Sequence, residues 1–397
     1  MASTPSGLSL ALGGCTILNA TSPCAIRQSV RCPGFGSRRL LVNRRSQTVR
    51  GDTNVIAFGA PSVESRLPLV RNHASMTDER ALDRPWLSVI VPCHNGERWL
   101  AVALQSVVDQ KDPGIEVIVI DGSATEASLK IVDSFADKLL IRAERRPDLQ
   151  SWTAKTNFGV AQARGERICM LHQDDLWLPA RCAEIRKWLS AQSDGVMHLH
   201  PCYIIDESAR RLGLWRCPLP AGQSPVPAHM LIERLLVQNF IGIPAPTIRR
   251  QAYLSVGGLD NALWYTADWD LYLKLVAVGR VYYHPSPLAC FRVHKNSLTV
   301  SGSRNSADFR DQHQAIIDRH ADKLSPKARA EILPVAAASF DLNTALAAVM
   351  AGRFDQIGKA LVSLLMLGPR GIRRYFHYSR IVDRTFPRLR ALLAGRF

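Results

Sequence analysis

What this sequence lacks sets its first limits. Its nine cysteines are scattered and form no CxxC pair, which argues against a zinc ribbon or a disulfide framework and for a reducing compartment. Cys202 and Cys217 could bridge in principle, but two free thiols are the expectation. No apolar run reaches the roughly 18 residues that span a bilayer, so the chain is expected to be soluble or to lie on a membrane surface. No internal repeat and no nucleic-acid motif appears, and nucleic acid is not an expected partner. Acid is missing from one long stretch, since none precedes Asp52.

That last absence belongs to a charge pattern. Residues 1–75 hold nine arginines against two acids, and residues 365–397 hold eight arginines against one. The 33 basic and 31 acidic residues between them nearly cancel, so the basic character sits at the ends. Ser, Arg, Gly and Pro dominate the first 75 residues without periodicity, a composition like that of an organelle transit peptide. Met76, however, opens MTDERALDRPWLSVIVP, which reads like a natural start. Residues 1–80 are therefore expected to be a disordered leader or to precede the true start. At 397 residues with 47% hydrophobic content, the remainder has room for one large α/β domain plus extras.

The central stretch is ICMLHQDDLWLP (168–179). A short apolar run ends in His172-Gln173-Asp174-Asp175, so a buried strand delivers two adjacent carboxylates to its C-terminal end, where open α/β sheets bind ligands. Paired carboxylates call for a cation, and Mg²⁺ typically takes one or two carboxylates together with substrate phosphates. A solvated Asp-Asp turn is the plain alternative.

Upstream, LSVIVP (87–92) is a buried strand. Asn95 and Gly96 make a turn into a helix, and Asp112-Pro113-Gly114 ends that helix. A second strand, 115–121, runs into Asp121-Gly122-Ser123, with a helix-like segment over 129–138. Strand, helix, strand, helix at this spacing predicts a parallel sheet with right-handed crossovers. Asp121 could contact a ribose or base, or cap its helix. Residues 141–149 predict a strand and loop, 153–165 a helix closed by Gly165, and 181–192 another helix. Residues 195–206 predict one strand, with 210–216 as its hairpin partner. A helix is expected over 229–239. In 240–250, Pro244 and Pro246 restrict the strand to an edge. Gly257-Gly258 turns the chain before an amphipathic helix that carries Asp268 and Asp270 at its start, and 281–299 closes the sheet. The last hundred residues read as helices over 306–322, 326–351, 355–367 and from Ile372. Pro387 interrupts any single long helix there. The terminal piece interleaves Arg with Phe, Tyr, Ile and Leu, which suits an anionic membrane surface; a basic helix packed on the domain is the alternative.

Five motifs stand in order: SVIVPCHNGERWL, VIVIDGSATEAS, AKTNFGVAQARGERICMLHQDDLWLP, VGGLDNALWYTADWDLYLKL and FRVHKNSLT. Their order resembles the family-2 glycosyltransferases over about 87–300. The resemblance implies an α/β fold of the GT-A (Rossmann-like) type, a mainly parallel sheet flanked by helices, over 84–303, with a helical C-terminal extension and basic tail over 304–397. It implies an inverting, nucleotide-sugar-dependent enzyme using Mg²⁺ or Mn²⁺. It places Pro92, His94, Asn95, Glu97, Asp121, Gly122, Asp148, Asn157 and Asp174 at the nucleotide-sugar, Asp174, Asp175 and His294 at the metal, and Asp268 as catalytic base. His172 departs from the family's first motif acid, and Gly122 stands where a second acid is common.

The resemblance therefore implies transfer of a sugar from a UDP-type donor to a hydroxyl of a glycan or lipid-linked acceptor, in cell-surface polysaccharide synthesis. The expected location is cytoplasmic, peripheral at the inner face of the plasma membrane. The chemistry agrees: a cation would offset charge on the leaving diphosphate, and a carboxylate base would take the acceptor proton. A nucleotidyltransferase should show a Gly- and Lys/Arg-rich phosphate loop after the first strand, and PCHNGERW is not one. The rivals are a catalytically inactive nucleotide-sugar-binding protein, motivated by His172, and a membrane-surface scaffold.

Overall fold

The computed structural model describes residues 84–295, 297, 306–350 and 352–393. The leader expected over residues 1–80 lies outside them, as does the expected boundary at 303/304.

β1 (Leu87–Cys93) and β2 (Ile115–Asp121) are buried at every position, as strands covered on both faces must be. β1 lies between β2 and β4 (Arg167–Met170), parallel to both, and β3 (Leu140–Arg145) adds parallel to β2. Helices α1 (Leu100–Val108), α2 (Ala127–Asp133) and α3 (Trp152–Gln162) make the crossovers. Strand alternation splits the core in two: Ile90, Ile118 and Ile120 join one cluster, Val89, Val91, Val117 and Val119 the other. Pro92 survives inside a central strand for a definite reason. Its missing N–H faces the β4 side, and pairing there stops with Leu171 N donating to Ile90 O.

The other half of the sheet holds the corrections. The single strand expected over 195–206 breaks at His200-Pro201 into β6 (Gly195–Leu199) and β7 (Cys202–Ile205). These belong to different sheets. The large sheet runs β10 (Arg280–Tyr283), β6, β9 (Thr247–Arg249), β4, β1, β2, β3; the small one runs β5 (Leu176–Trp177), β11 (Ala289–Arg292), β7, β8 (Arg211–Trp215). The expected edge strand is interior: β9 is antiparallel to both β4 and β6. Pro244 and Pro246 lie just before its first residue, so they remove no ladder donor. Helix α3 ends at Gln162, before Gly165. Gly165 instead lets the chain press on β1, where an added Cβ would lie 2.7 Å from Ser88 N and 2.9 Å from Leu87 C.

Helices α4 (Arg181–Ala191), α5 (Ala228–Val237), α6 (Arg250–Ser255) and α7 (Ala267–Val278) complete this part. Beside β6 the His284 ring stacks on Trp188 at 3.7 Å, and His198 Nδ1 lies 3.2 Å from His284 Nε2. The six described cysteines, Cys202 and Cys217 among them, are free and buried.

The C-terminal region is helical: α8 (Ser306–His320), α9 (Pro326–Met350), α10 (Ile357–Leu365), α11 (Gly368–Ser379) and α12 (Ile381–Leu393). The break between the last two falls at Arg380, whose φ of 48° is left-handed, while Pro387 sits inside α12. The terminal helix therefore divides seven residues earlier than the proline suggests. α12 packs on β8, and α9 packs on α5, α10 and α11. Among the described residues one helix, Pro326–Val349, is long and apolar enough to cross a bilayer by length and composition; 44% of its most apolar window is buried in the protein.

Candidate active site

The C-terminal ends of β1, β2 and β4 meet in a tightly bonded cluster of loops. After β1, Asn95 turns the chain with a left-handed φ of 51°. Its N–H donates to Ser123 Oγ at 2.7 Å, and the Ser123 N–H and hydroxyl both donate to Asp121 Oδ1, at 3.0 and 2.5 Å. The carboxylate of Asp121 is thereby half spent on its own turn. Its other oxygen, Oδ2, is buried without a protein partner. His94 Nδ1 lies 3.0 Å from Gly122 O, and Gly122 N donates to Cys93 O at 2.9 Å.

Two residues that motif reasoning missed fix these loops. Gln173 clamps the carboxylate loop to the first loop, accepting from His94 N at 2.7 Å and donating to His94 O at 3.0 Å. Lys155 on α3 is buried, and its ammonium donates to Cys93 O at 3.0 Å. Burial lowers its pKa, opposed by Cys93 and Asp121. A Cβ at Gly122 would lie 2.7 Å from Lys155 Nζ, so glycine is what admits the lysine. Gln173 lies inside the motif but is not one of its acids, and nothing local in the sequence distinguishes Lys155 from any other helical lysine; only its burial marks it out.

The carboxylates of the motif have unlike surroundings. Asp174 Oδ2 lies 2.9 Å from His294 Nε2. Burial works to raise the Asp174 pKa, but the His294 hydrogen bond and the charges of His172 and His294 hold it below the usual range. Asp175 is buried; burial and then neighbouring Asp174 push its pKa well up. It accepts from Arg292 N at 2.9 Å through Oδ1, and its Oδ2 lacks a partner. Arg292, also missed, staples the loop: Nε donates to Asp174 O at 2.7 Å, and Nη1 to Asp206 O at 2.7 Å and Glu207 O at 3.0 Å. Trp99 packs against His294 with the rings tilted by 48° and their centroids 4.4 Å apart.

His172, Asp174 and Asp175 each offer a ligand atom within 4.8 Å of the others. His172 Nε2 and Asp175 Oδ2 are buried polar atoms without protein partners, a cost that a bound cation would remove. One imidazole and two carboxylates form a donor set that fits a divalent cation.

Asp268 and Asp270, two residues apart at the start of α7, separate clearly. Asp270 is buried and paired with Lys274 at 2.9 Å and His320 at 2.8 Å, which ties α7 to α8. Asp268 accepts from Asn239 Nδ2 at 3.0 Å and from Trp269 N at 2.8 Å. Burial pushes its pKa up to about 6, a value suited to a base near neutrality. Asn239 carried no motif signal. Burial and then the charge of Asp268 push the Tyr272 pKa well up. Trp152 joins the carboxylate loop to the loop before α7, with its ring edge-on to His172 at 5.2 Å and its Nε1 donating to Trp264 O at 2.7 Å.

The remaining expected residues stand less centrally. Pro92 is buried in β1, and Glu97 is exposed in the short turn after it. Asp148 is exposed and holds Arg146 through two hydrogen bonds of 2.9 and 2.6 Å. The amide of Asn157 is occupied by Leu259 O at 2.8 Å, Leu259 N at 3.0 Å and the Tyr253 hydroxyl. It braces the loop before α7, and its side chain is spent there.

Residues 88–255 match the family model described as Glycosyl transferase family 2. An uncharacterized glycosyltransferase of Haemophilus influenzae is 26% identical over 193 residues, covering 48% of this chain and 62% of the relative. One from Rickettsia typhi is 24% identical over 218 residues, covering 54% of this chain and 66% of the relative. The chain thus spans slightly less than two thirds of each. The crystal structure of S. aureus TarS 1–349 in complex with UDP-GlcNAc is similar in fold, with a TM-score of 0.51, 16% identity, and coverage of 78% of this chain and 92% of that one. The family match takes in β1, β2 and the carboxylate loop and stops before Asp268. With motif order, sheet topology and family model in agreement, residues 88–255 form a domain of the Glycosyl transferase family 2 type.

Proposed function

We propose that the protein is an inverting, metal-dependent glycosyltransferase that moves a sugar from a nucleoside-diphosphate sugar, of the UDP type, to a hydroxyl of a glycan or lipid-linked acceptor. The observation that carries this reading is the pairing of unsatisfied buried ligand atoms around Asp174 with a separate carboxylate, Asp268, raised to about 6. His172, Asp174 and Asp175 would hold the cation. When bound it supplies Lewis acidity that offsets charge gathering on the leaving diphosphate. The free Asp121 oxygen accepts from the donor's nucleoside, and the Gln173 clamp keeps the two loops in one arrangement before the donor arrives. Asp268 takes the acceptor's proton as its oxygen attacks the anomeric carbon, and Asn239 fixes the orientation of that carboxylate. A direct displacement served by one base inverts the anomeric configuration.

The setting belongs to the same proposal: cell-surface polysaccharide synthesis, with the protein peripheral at the cytoplasmic face of the plasma (inner) membrane. In support, nine of the twelve exposed large hydrophobic side chains among the described residues fall between Phe354 and Leu389. That segment also carries nine basic residues against two acids over 353–393. Apolar side chains among arginines favour an anionic lipid surface.

The test is thermal shift with UDP, GDP, dTDP and CDP, each with and without Mn²⁺, beside donor hydrolysis. Ligand at a hundred times its dissociation constant adds about 2.7 kcal/mol, a shift of several degrees. A metal-dependent shift with one nucleotide is expected, lost together with hydrolysis in Asp174→Ala. A folded protein that shifts with none of the four would sink the reading, and a shift without hydrolysis would favour an inactive binder.

A further inference from the structure

A cavity of about 510 Å³ opens among β8, α5, β10 and α11, and its walls carry Arg216, Arg234, His377 and Arg380 with Cys217 and Tyr283. No residue of the candidate active site lines it, and no carboxylate does. Asp383 offsets part of the charge from outside the lining: Arg380 donates to it at 2.7 and 2.9 Å, and Arg216 approaches at 3.5 Å. Two of the three lining guanidinium groups therefore share one carboxylate. Arg234 spends one nitrogen on Pro218 O and lies over the Tyr378 ring at 5.2 Å, while its Nε is buried without a protein partner. Burial, followed by the charges of Arg234, Arg380 and Arg373, lowers the His377 pKa, which reports a positive field around the cavity.

The surroundings narrow the ligand. Helix α11 contributes His377 and exposes Arg370, Arg373 and Phe376, and Arg380 follows directly after its end. On α12, Val382, Phe386 and Leu389 are exposed at a spacing that places them on one helix face. Guanidinium groups bind phosphate in planar, paired hydrogen bonds, and the flanking apolar side chains suit acyl chains.

We propose that this cavity is a phosphate site, taking the head group of an anionic lipid or a soluble phosphomonoester of the same chemistry. It stands on the cavity's own residues and does not depend on the transfer reaction.

The experiment uses the full chain, sedimented with phosphatidylcholine vesicles with and without phosphatidylglycerol, and separately titrated with glycerol phosphate by thermal shift. The cavity pair Arg216→Gln/Arg234→Gln is compared with the surface pair Arg370→Gln/Arg373→Gln, which removes the same charge. The cavity pair should lower affinity for phosphatidylglycerol vesicles at least about tenfold, the surface pair about threefold or less. Stabilisation by glycerol phosphate, lost in the cavity pair, assigns the soluble source; vesicle binding alone assigns the lipid. Equal losses in the two pairs would reduce the effect to diffuse attraction and overturn the proposal, as would a wild type that binds neither. Arg234 also bonds to backbone, so Arg216→Gln alone, at a half-exposed side chain, provides the same comparison if the pair loses its fold.

Discussion

At the scale of single residues, the proposed chemistry turns on how differently the protein treats its carboxylates. Asp174 is kept charged, Asp175 is pushed toward its neutral form and Asp268 is poised at about 6. If Asp268 is the base, kcat/KM should rise with pH through about 6 and level off above it, because only the ionised form accepts a proton. Asp268→Asn should cost about 10²–10⁴-fold in transfer while leaving the metal-dependent nucleotide shift in place. An acid limb near the ordinary carboxylate value would remove Asp268 from that role. Asp174, Asp121 and Asp268 were legible because acids at strand ends and helix starts leave few alternatives once the motifs stand in order. Gln173, Asn239 and Arg292 were not legible. Each acts through partners 29 to 118 residues away, and no local pattern encodes that pairing.

At the scale of elements, the first half of the sheet followed from its apolar runs, since strands buried on both faces advertise themselves. The second half did not. GVMHLHPCYIID carries continuous strand composition, and only the break at His200-Pro201 sends its two ends into different sheets. The prolines before β9 likewise argued for an edge, because sequence cannot reveal that the paired stretch is three residues long. Close packing supplies the prediction here. Gly165→Ala would set a methyl group against the backbone of Leu87 and Ser88, where neither neighbour is a flexible side-chain end. It should destabilise by about 1–3 kcal/mol, read as a lower urea midpoint at unchanged slope. An unchanged midpoint would mean that the link from α3 to β4 relaxes freely.

At the scale of the whole molecule, stability is tied to buried neutral imidazoles. Burial lowers His198 to about 3 and His284 and His313 to about 4. Above pH 6.5 these groups are neutral folded or unfolded, and they cost nothing. As pH falls from 6.5 toward 4, the unfolded chain takes up protons that the folded one refuses, and each histidine removes about 1.4 kcal/mol per pH unit. Asp268 runs the other way, its folded pKa being raised, and offsets about one of the three. Urea midpoints should therefore fall steadily below pH 6.5, and His313→Phe should flatten that slope. A midpoint constant down to pH 4.5 would show that the imidazoles are reached by water.

The position of β9 also bears on how the chain becomes a protein. As synthesis proceeds, β1 to β4 can assemble early, leaving one flank of β4 open until Thr247–Arg249 emerges some eighty residues later. β6 is made in the meantime but has no native partner on β4, so the two halves of the sheet wait for a three-residue wedge. Nascent chains arrested before residue 247 should present that flank as a template for intermolecular pairing, and should depend on chaperones more than chains released past it.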